Sequence, residues 1–247
     1  MRSLILRLGR AYRNRHPQAY RLAGSRPGLE TLEDRCVPST TAANQHFVEN
    51  LYQALLGRTA DHSGLQTWTT QLNNGISRTE VVQQIEQNDE YKGDIIAELY
   101  ARLLNRALDP SGLQHWTAYL DAGHSADQLE AQILGSSEYF ARRGGNNNAG
   151  WLQALSTDLL GHGLDAASAQ SWSMLLTQGF PRNKIAASIQ ATPQAEQFEV
   201  SVLYTQLLQR NADANGLAHF TSELEQGATR EQVTAQILGS DEYFSRF

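Results

Sequence analysis

The sequence predicts an all-α protein built from four tandem helical repeats of about 48 residues, forming two two-repeat domains. Three observations carry that expectation. The same residue types recur at fixed offsets in four copies, which is the signature of a repeat architecture. Within each copy the apolar residues fall at the i, i+3, i+4, i+7 spacing of a helical stripe. Candidates for extended strands are limited to a few short β-branched runs.

Tyr52, Tyr100, Ser156 and Tyr204 mark the same place in successive copies, at intervals of 48, 56 and 48 residues. The first helix of each copy carries its apolar stripe around that mark: Val48, Leu51 and Leu55; Ile96, Leu99 and Leu103; Leu152, Leu155 and Leu159; Val200, Leu203 and Leu207. Six places after the mark stands Arg58, Arg106, His162 or Arg210, and three places later Asp61, Asp109, Asp165 or Asp213. An Asp there suits the N-cap of a second helix, where its carboxylate accepts from free backbone N–H groups at about 1 kcal/mol relative to Ala. Pro110, directly after Asp109, is a favoured first helical residue. Gly64, Gly112, Ser168 and Gly216 follow, always small, which implies close approach by a neighbour. Leu65, Trp68 and Leu72 give the second helix its expected buried face, repeated as Leu113, Trp116 and Leu120, as Trp172 and Leu176, and as Leu217, Phe220 and Leu224. Gly75, Gly123, Gly179 and Gly227 stop it.

A third helix opens with a capping box in three copies: Ser77 with Glu80, Ser125 with Gln128 and Thr229 with Gln232; copy three has Pro181 instead. A last cap follows at Asn88, Ser136, Thr192 and Ser240, leading into Glu-Tyr in every copy but the third. Copies one and two join without a break, as do three and four. Between the pairs lies a run rich in Gly and Asn. The expected organisation is a basic leader over residues 1–43, a helical domain over 44–143, a linker over 144–149 and a second helical domain over 150–247.

The leader has its own charge. Residues 1–40 hold eight arginines against three acids, a balance of +5, whereas the rest of the chain stands at −11 within a total of −6. Its apolar stub around Leu4, Ile5 and Leu6 falls short of the ~7–15 apolar residues of a secretory signal, leaving a targeting segment or a disordered tail. So acidic a body is a poor partner for phosphate backbones or anionic lipid, so no nucleic acid is expected. No stretch approaches the ~18 apolar residues of a membrane span. Cys36 is the one cysteine, so no intrachain disulfide can form.

Catalysis finds no motif: there is no nucleophile elbow, zinc-binding His-Glu-x-x-His, P-loop or dinucleotide turn. No cofactor and no metal are expected; each Asp-x-x-Gly loop has one acid, far from the 6–8 oxygens of a calcium site. The candidate binding residues are Arg58, Asp61, Arg106, Asp109, Arg210 and Asp213, for which helix capping and local ion pairing is the stronger reading. The repeated Trp side chains could stack on a sugar, but their place on the apolar stripe argues for the core.

The string Leu99-Tyr100, Leu103-Leu104, Arg106, Asp109, Gly112-Leu113, Trp116, Gly123, Ser136 and Glu138-Tyr139 resembles the bacterial family filed as domain of unknown function 4214, and the four copies extend the resemblance over about 80% of the chain. That resemblance implies a helical fold distantly similar to phycobilisome linkers and a place in secreted or surface proteins, with no established activity. Copy three departs most, with Ser156, His162, Ser168, Ala169 and Ala195 at signature positions, which casts it as a packing partner. The segment Leu32-Glu33-Asp34-Arg35-Cys36-Val37-Pro38-Ser39 resembles the LE-x-R element of exported planctomycete proteins and implies export to the envelope or beyond. The expected function is a non-catalytic, exported helical repeat protein for interaction, adhesion or assembly at the cell envelope, with a protein or envelope component as partner. The alternatives are an enzyme with its site in the cleft between the two domains, and a linker-like scaffold of a partner complex.

Overall fold

In the computed structural model, helix α1 (Thr40–Leu56) begins four residues earlier than the expected domain start, because Asn44 is already buried there and its amide bonds Asn73 Oδ1 at 2.8 Å. The structure describes residues 40–246, and the expected leader before residue 40, with its LE-x-R element and Cys36, lies outside them. Copy one continues with α2 (His62–Asn73) and α3 (Arg78–Glu86). Helix α4 (Asp89–Leu104) runs unbroken from the end of copy one into copy two, which adds α5 (Pro110–Asp121), α6 (Ala126–Gly135) and α7 (Ser137–Arg142). Copy three supplies α8 (Asn148–Leu160), α9 (Ala166–Thr177) and α10 (Arg182–Gln190). A second continuous helix, α11 (Pro193–Leu208), leads into copy four, with α12 (Ala214–Glu225), α13 (Arg230–Gly239) and α14 (Asp241–Phe244). Among the described residues there is no strand, so the fold is all-α.

The caps fall where the sequence sets them. Asp61, Asp109 and Asp213 accept from the backbone N–H of Gly64, Gly112 and Gly216, and Asp165 accepts from Ala167 and Ser168. Ser125 and Thr229 close reciprocal capping boxes with Gln128 and Gln232; Ser77 accepts from the Glu80 N–H without the return bond of a box, and Asn88 and Pro181 cap α4 and α10 without a side-chain bond. Gly75, Gly123, Gly179 and Gly227 sit at φ between 84 and 95°, open to solvent, so backbone conformation alone asks for glycine there. The third helices are the centre of the fold: Val81, Ile85, Leu129, Ile133, Ile185, Ile189, Val233 and Ile237 are all at most 2% exposed. The second helices are peripheral. Leu113, expected in the buried face of α5, is 40% exposed, and α5 has no fully buried residue.

There are two cores of two repeats each, but neither is shared by copies one and two or by copies three and four. One joins copies two and three, from Ile96 to Ala195; the other joins copy one to copy four, bringing Phe47 and Ile85 together with Val200 and Val233. Neither core coincides with the expected spans 44–143 and 150–247. All the described residues fall within one compact unit. The physical reason lies in α4 and α11. Each is a continuous helix of 16 residues, about 24 Å long, which holds adjacent copies apart. The expected linker at 144–149 has the opposite role. It breaks what would otherwise be a third such helix into α7 and α8. It is an ordered turn: Gly144 N–H bonds Tyr139 O at 3.3 Å, Asn146 N–H bonds Phe140 O at 3.1 Å, and Asn147 caps α8. Trp151, fully buried just beyond it, donates to Leu134 O at 2.8 Å, pinning copy three onto copy two.

The cores close through antiparallel pairs, α6 on α10 and α3 on α13, that meet at a glycine. A Cβ on Gly135 would lie 2.5 Å from Asn183 Cα, and one on Gly239 would lie 2.8 Å from Thr79 N. These are backbone contacts that no rotamer change can relieve. The variant Gly239→Ala should cost about 1–3 kcal/mol by overpacking. Gly93→Ala, inside α4 with its nearest neighbour at 3.6 Å, should stabilise by about 0.5–1 kcal/mol. Urea unfolding of the two variants should move the midpoint in opposite directions.

Candidate functional site

The repeated Arg/Asp candidates form a closed cluster in three copies. Arg106 lies over the Tyr100 ring, 4.6 Å from its centroid, and grips both oxygens of Glu138 at 2.6 and 2.9 Å, with a further bond to Asp109 Oδ2 at 2.8 Å. Arg210 does the same with Tyr204, Glu242 and Asp213, and Arg58 with Tyr52 and Glu90, with Asp61 Oδ2 at 3.6 Å. Trp116 Nε1 donates to Tyr100 Oη at 2.8 Å and Trp68 Nε1 to Tyr52 Oη at 3.1 Å; in copy four Phe220 instead meets Tyr204 edge-on at 6.0 Å. The small residue after the Asp is explained by the tyrosine: a Cβ on Gly112 would sit 2.8 Å from Tyr100 Oη. The hydrogen bond of Ser63, then that of the Gly64 amide, lowers the Asp61 carboxyl to about 2, and Ser111 and Gly112 hold Asp109 lower still. Each guanidinium and each carboxylate of the cluster is engaged within the chain.

The partners of these arginines, Glu90, Glu138 and Glu242, escaped the choice of candidate residues, although the sequence repeats them. They stand 32 positions after their arginines, and spacing alone does not bring so distant a residue back. Copy three keeps only the capping Asp165 of the set. Ser156 replaces the tyrosine, His162 the arginine and Gln194 the glutamate, and with no ring to clear, Ser168 replaces the glycine. Ser156 is fully buried and bonds Gln153 O at 3.0 Å.

The larger opportunity for a ligand lies between the cores. A cavity of about 450 Å³ opens where α6, α10, α11 and α13 converge. Its charged lining includes Glu98, Asp127, Glu130, Glu196 and Glu199 against Arg102 and Arg230; Leu159, Phe198, Val202 and Leu224 add apolar wall. Most of these charges are engaged within the chain. Arg230 Nε is 2.8 Å from Glu199 Oε1, an ion pair out of line for a hydrogen bond, and Arg102 donates to Glu130 Oε1 at 2.7 Å. The N-termini of α6 and α13 exchange caps: Ala126 N–H bonds Glu231 Oε1 at 2.9 Å and Arg230 N–H bonds Asp127 Oδ2 at 3.4 Å. Glu196 is different. It is 8% exposed, and its Oε2 meets no hydrogen-bond partner.

Carboxylates in this region are short of positive charge. Burial, then the Glu231 and Glu199 charges, lift Asp127 to about 7. Burial also raises Glu199 and Glu196, the latter with help from Glu225. Across the pseudo-equivalent hollow, burial and then the Glu231 charge push Glu86 up to about 9. Among the described residues no cluster of three His, Cys, Asp or Glu side chains could hold a metal ion.

The architecture defines a class first: an all-α tandem-repeat protein whose repeated signature serves packing. The family model described as Domain of unknown function (DUF4214) matches residues 38–95 and again 190–247, so the chain carries tandem repeats of that family's type. Those matches cover copy one and copy four, which share a core. No curated protein and no solved structure matches the chain.

Glu86 and Asp127 bind protons more tightly in the folded chain than in the unfolded one, so unfolding releases protons and stability falls as pH rises from about 5 to 9. Glu86→Gln removes the larger part of that slope. It should raise the unfolding free energy near pH 8 by about 1–3 kcal/mol and leave it almost unchanged at pH 5, as measured by urea titration at both values.

Proposed function

We propose that the chain is a non-catalytic interaction module, exported and used for adhesion or assembly at the cell envelope. The observation that supports this best is the engagement of its polar residues. The Arg, Asp and Glu side chains repeated along the sequence brace helix ends, and most carboxylates in the central cavity are tied to backbone amides or arginines. A protein arranged this way offers a rigid surface and a cavity, with little set aside for bond making. The basic leader and its LE-x-R element support export. Among the described residues no helix is long and apolar enough to cross a membrane.

One observation favours catalysis in the cleft. Acids do gather there, and Asp127, at about 7, is in the range of a general acid or base. Against that reading, Asp127 already accepts from a backbone amide, and neither histidine nor cysteine is among the described lining residues. The scaffold alternative calls for a contiguous apolar face. Among the described residues the exposed large apolar side chains are Leu113, Met174 and Phe180, on two different copies.

The reading is tested by fractionating cells that make the tagged full chain. Recovery with the envelope, and saturable rebinding of purified chain to washed envelopes from cells lacking it, is the expected result. A chain confined to the cytosol with no affinity for envelopes would overturn it.

A further inference from the structure

The contacts of the fold recur at an offset of 104 residues, the distance from Tyr100 to Tyr204. Thr79 and Asn183 meet Gly239 and Gly135; Arg78 and Arg182 cover the rings of Phe244 and Phe140 at 4.4 and 4.1 Å. The central cavity has its counterpart at the same offset, a hollow of about 410 Å³ lined by Glu86, Tyr91, Lys92, Leu120 and Glu231. The two hollows differ in one telling pair. In the counterpart, Lys92 Nζ bonds Asp121 Oδ1 at 2.5 Å, an ammonium on an aliphatic stem held by a carboxylate. At the equivalent places stand Glu196, on the wall of the central cavity, and Glu225, exposed and just outside its lining: the acceptor acid is kept and the lysine has become a second acid. The two carboxylates repel each other. Glu196 is more than nine-tenths buried with Oε2 unpartnered on the cavity wall. Ala195 stands where the counterpart has Tyr91, and Ala228 where it has His124, so both flanking side chains are cut back to a methyl.

We propose that the central cavity binds a linear alkylammonium group, with the ammonium between Glu196 and Glu225 and the methylenes along the wall formed by Phe198, Val202 and Leu224. The incoming group supplies from outside the cation that Lys92 supplies within the chain. A buried carboxylate beside a like charge is stabilised most by a cation that completes the pair, and the apolar wall selects one with an aliphatic body over a hydrated metal ion. A free polyamine and the lysine side chain of a partner segment share this chemistry. The inference deepens the proposal of an interaction module by naming what its cavity recognises.

Calorimetric titration of the full chain with spermidine at low ionic strength tests it. Saturable binding is expected, absent with magnesium chloride at matched ionic strength. Glu196→Lys, which installs the counterpart's own ammonium, should weaken spermidine at least tenfold and raise the melting temperature of the free protein. Glu196→Gln, which keeps size and shape, should weaken binding without that rise. A lysine-containing peptide and its ε-acetylated form identify the source: binding of the unmodified peptide alone points to a partner lysine, binding of spermidine alone to a free polyamine, and both support the site. No saturable binding of either amine, or equal binding by the wild type and Glu196→Lys, overturns the assignment. Envelope retention of a chain that binds no amine would remove this inference and leave the interaction module standing.

Discussion

Helices α6 and α10, and α3 and α13, pack so closely that the backbone of one lies where a side chain of the other would begin, and the rest of the molecule follows from those two contacts. They place four rows of branched aliphatics at the middle of the fold, excluded from water, where each residue removes about 1.5–3 kcal/mol worth of apolar surface. They also decide which copies share a core. Copies one and two, or three and four, could share a core only by bending α4 or α11, and an unbroken helix resists that. Pairing across the chain leaves both helices straight and sets the N-termini of α6 and α13 face to face. Two positive helix ends in proximity call for negative charge, and Asp127 and Glu231 supply it reciprocally. The acidic character of the central region therefore begins as a consequence of packing.

Much of the local structure was legible in the sequence because it depends on residues a few positions apart. Asp109 three places before Gly112, Ser125 three before Gln128, and Gly123 after Leu120 each define a helix end from short-range chemistry alone. The pairing of copies was not legible in this way, since it depends on contacts between distant residues, 51 positions apart for Gln132 and Asn183 and 161 for Arg78 and Gly239. The alternation of Ile-Leu-Gly-Ser in copies two and four with Ile-Glu-Gln-Asn and Ile-Gln-Ala-Thr in copies one and three was the available signal. Even copies carry the glycine that admits a backbone and odd copies do not, so an even copy must pair with an odd one. The Gly/Asn segment at 144–149 misled for a related reason: glycine and asparagine serve a flexible linker and a tight helix-to-helix turn equally well, and only the burial of Gly144 and Trp151 distinguishes them.

The candidate residues drawn from the repeated signature gather in three separate clusters, one in each of copies one, two and four, and within each they face one another. Repetition selects what every copy needs, and what every copy needs is a way to hold a first helix, a second helix and a fourth segment together. Arg106 does that by touching Tyr100, Asp109 and Glu138 at once. Such a cluster gains from several partly shielded contacts sharing one guanidinium, which suits Arg and its planar fork better than Lys.

A site that serves a ligand is needed once, and it is therefore found where repetition fails. Copy three loses tyrosine, arginine, glutamate and glycine together, and the loss is coherent: without the ring of Tyr there is nothing for Arg to cover and no reason for Gly. Drift in a redundant copy would produce that much. It would not by itself account for Glu196, which puts a second carboxylate beside Glu225 in a half of the molecule whose twin shows a lysine–aspartate pair at the same place. A buried carboxylate without a partner carries a standing cost, and the smallest change that removes it, the lysine already present in the twin, is not the one this chain has. The cavity and its unpaired acid belong together, and α11 and α12, which carry Phe198, Val202 and Leu224, supply the wall on which both depend.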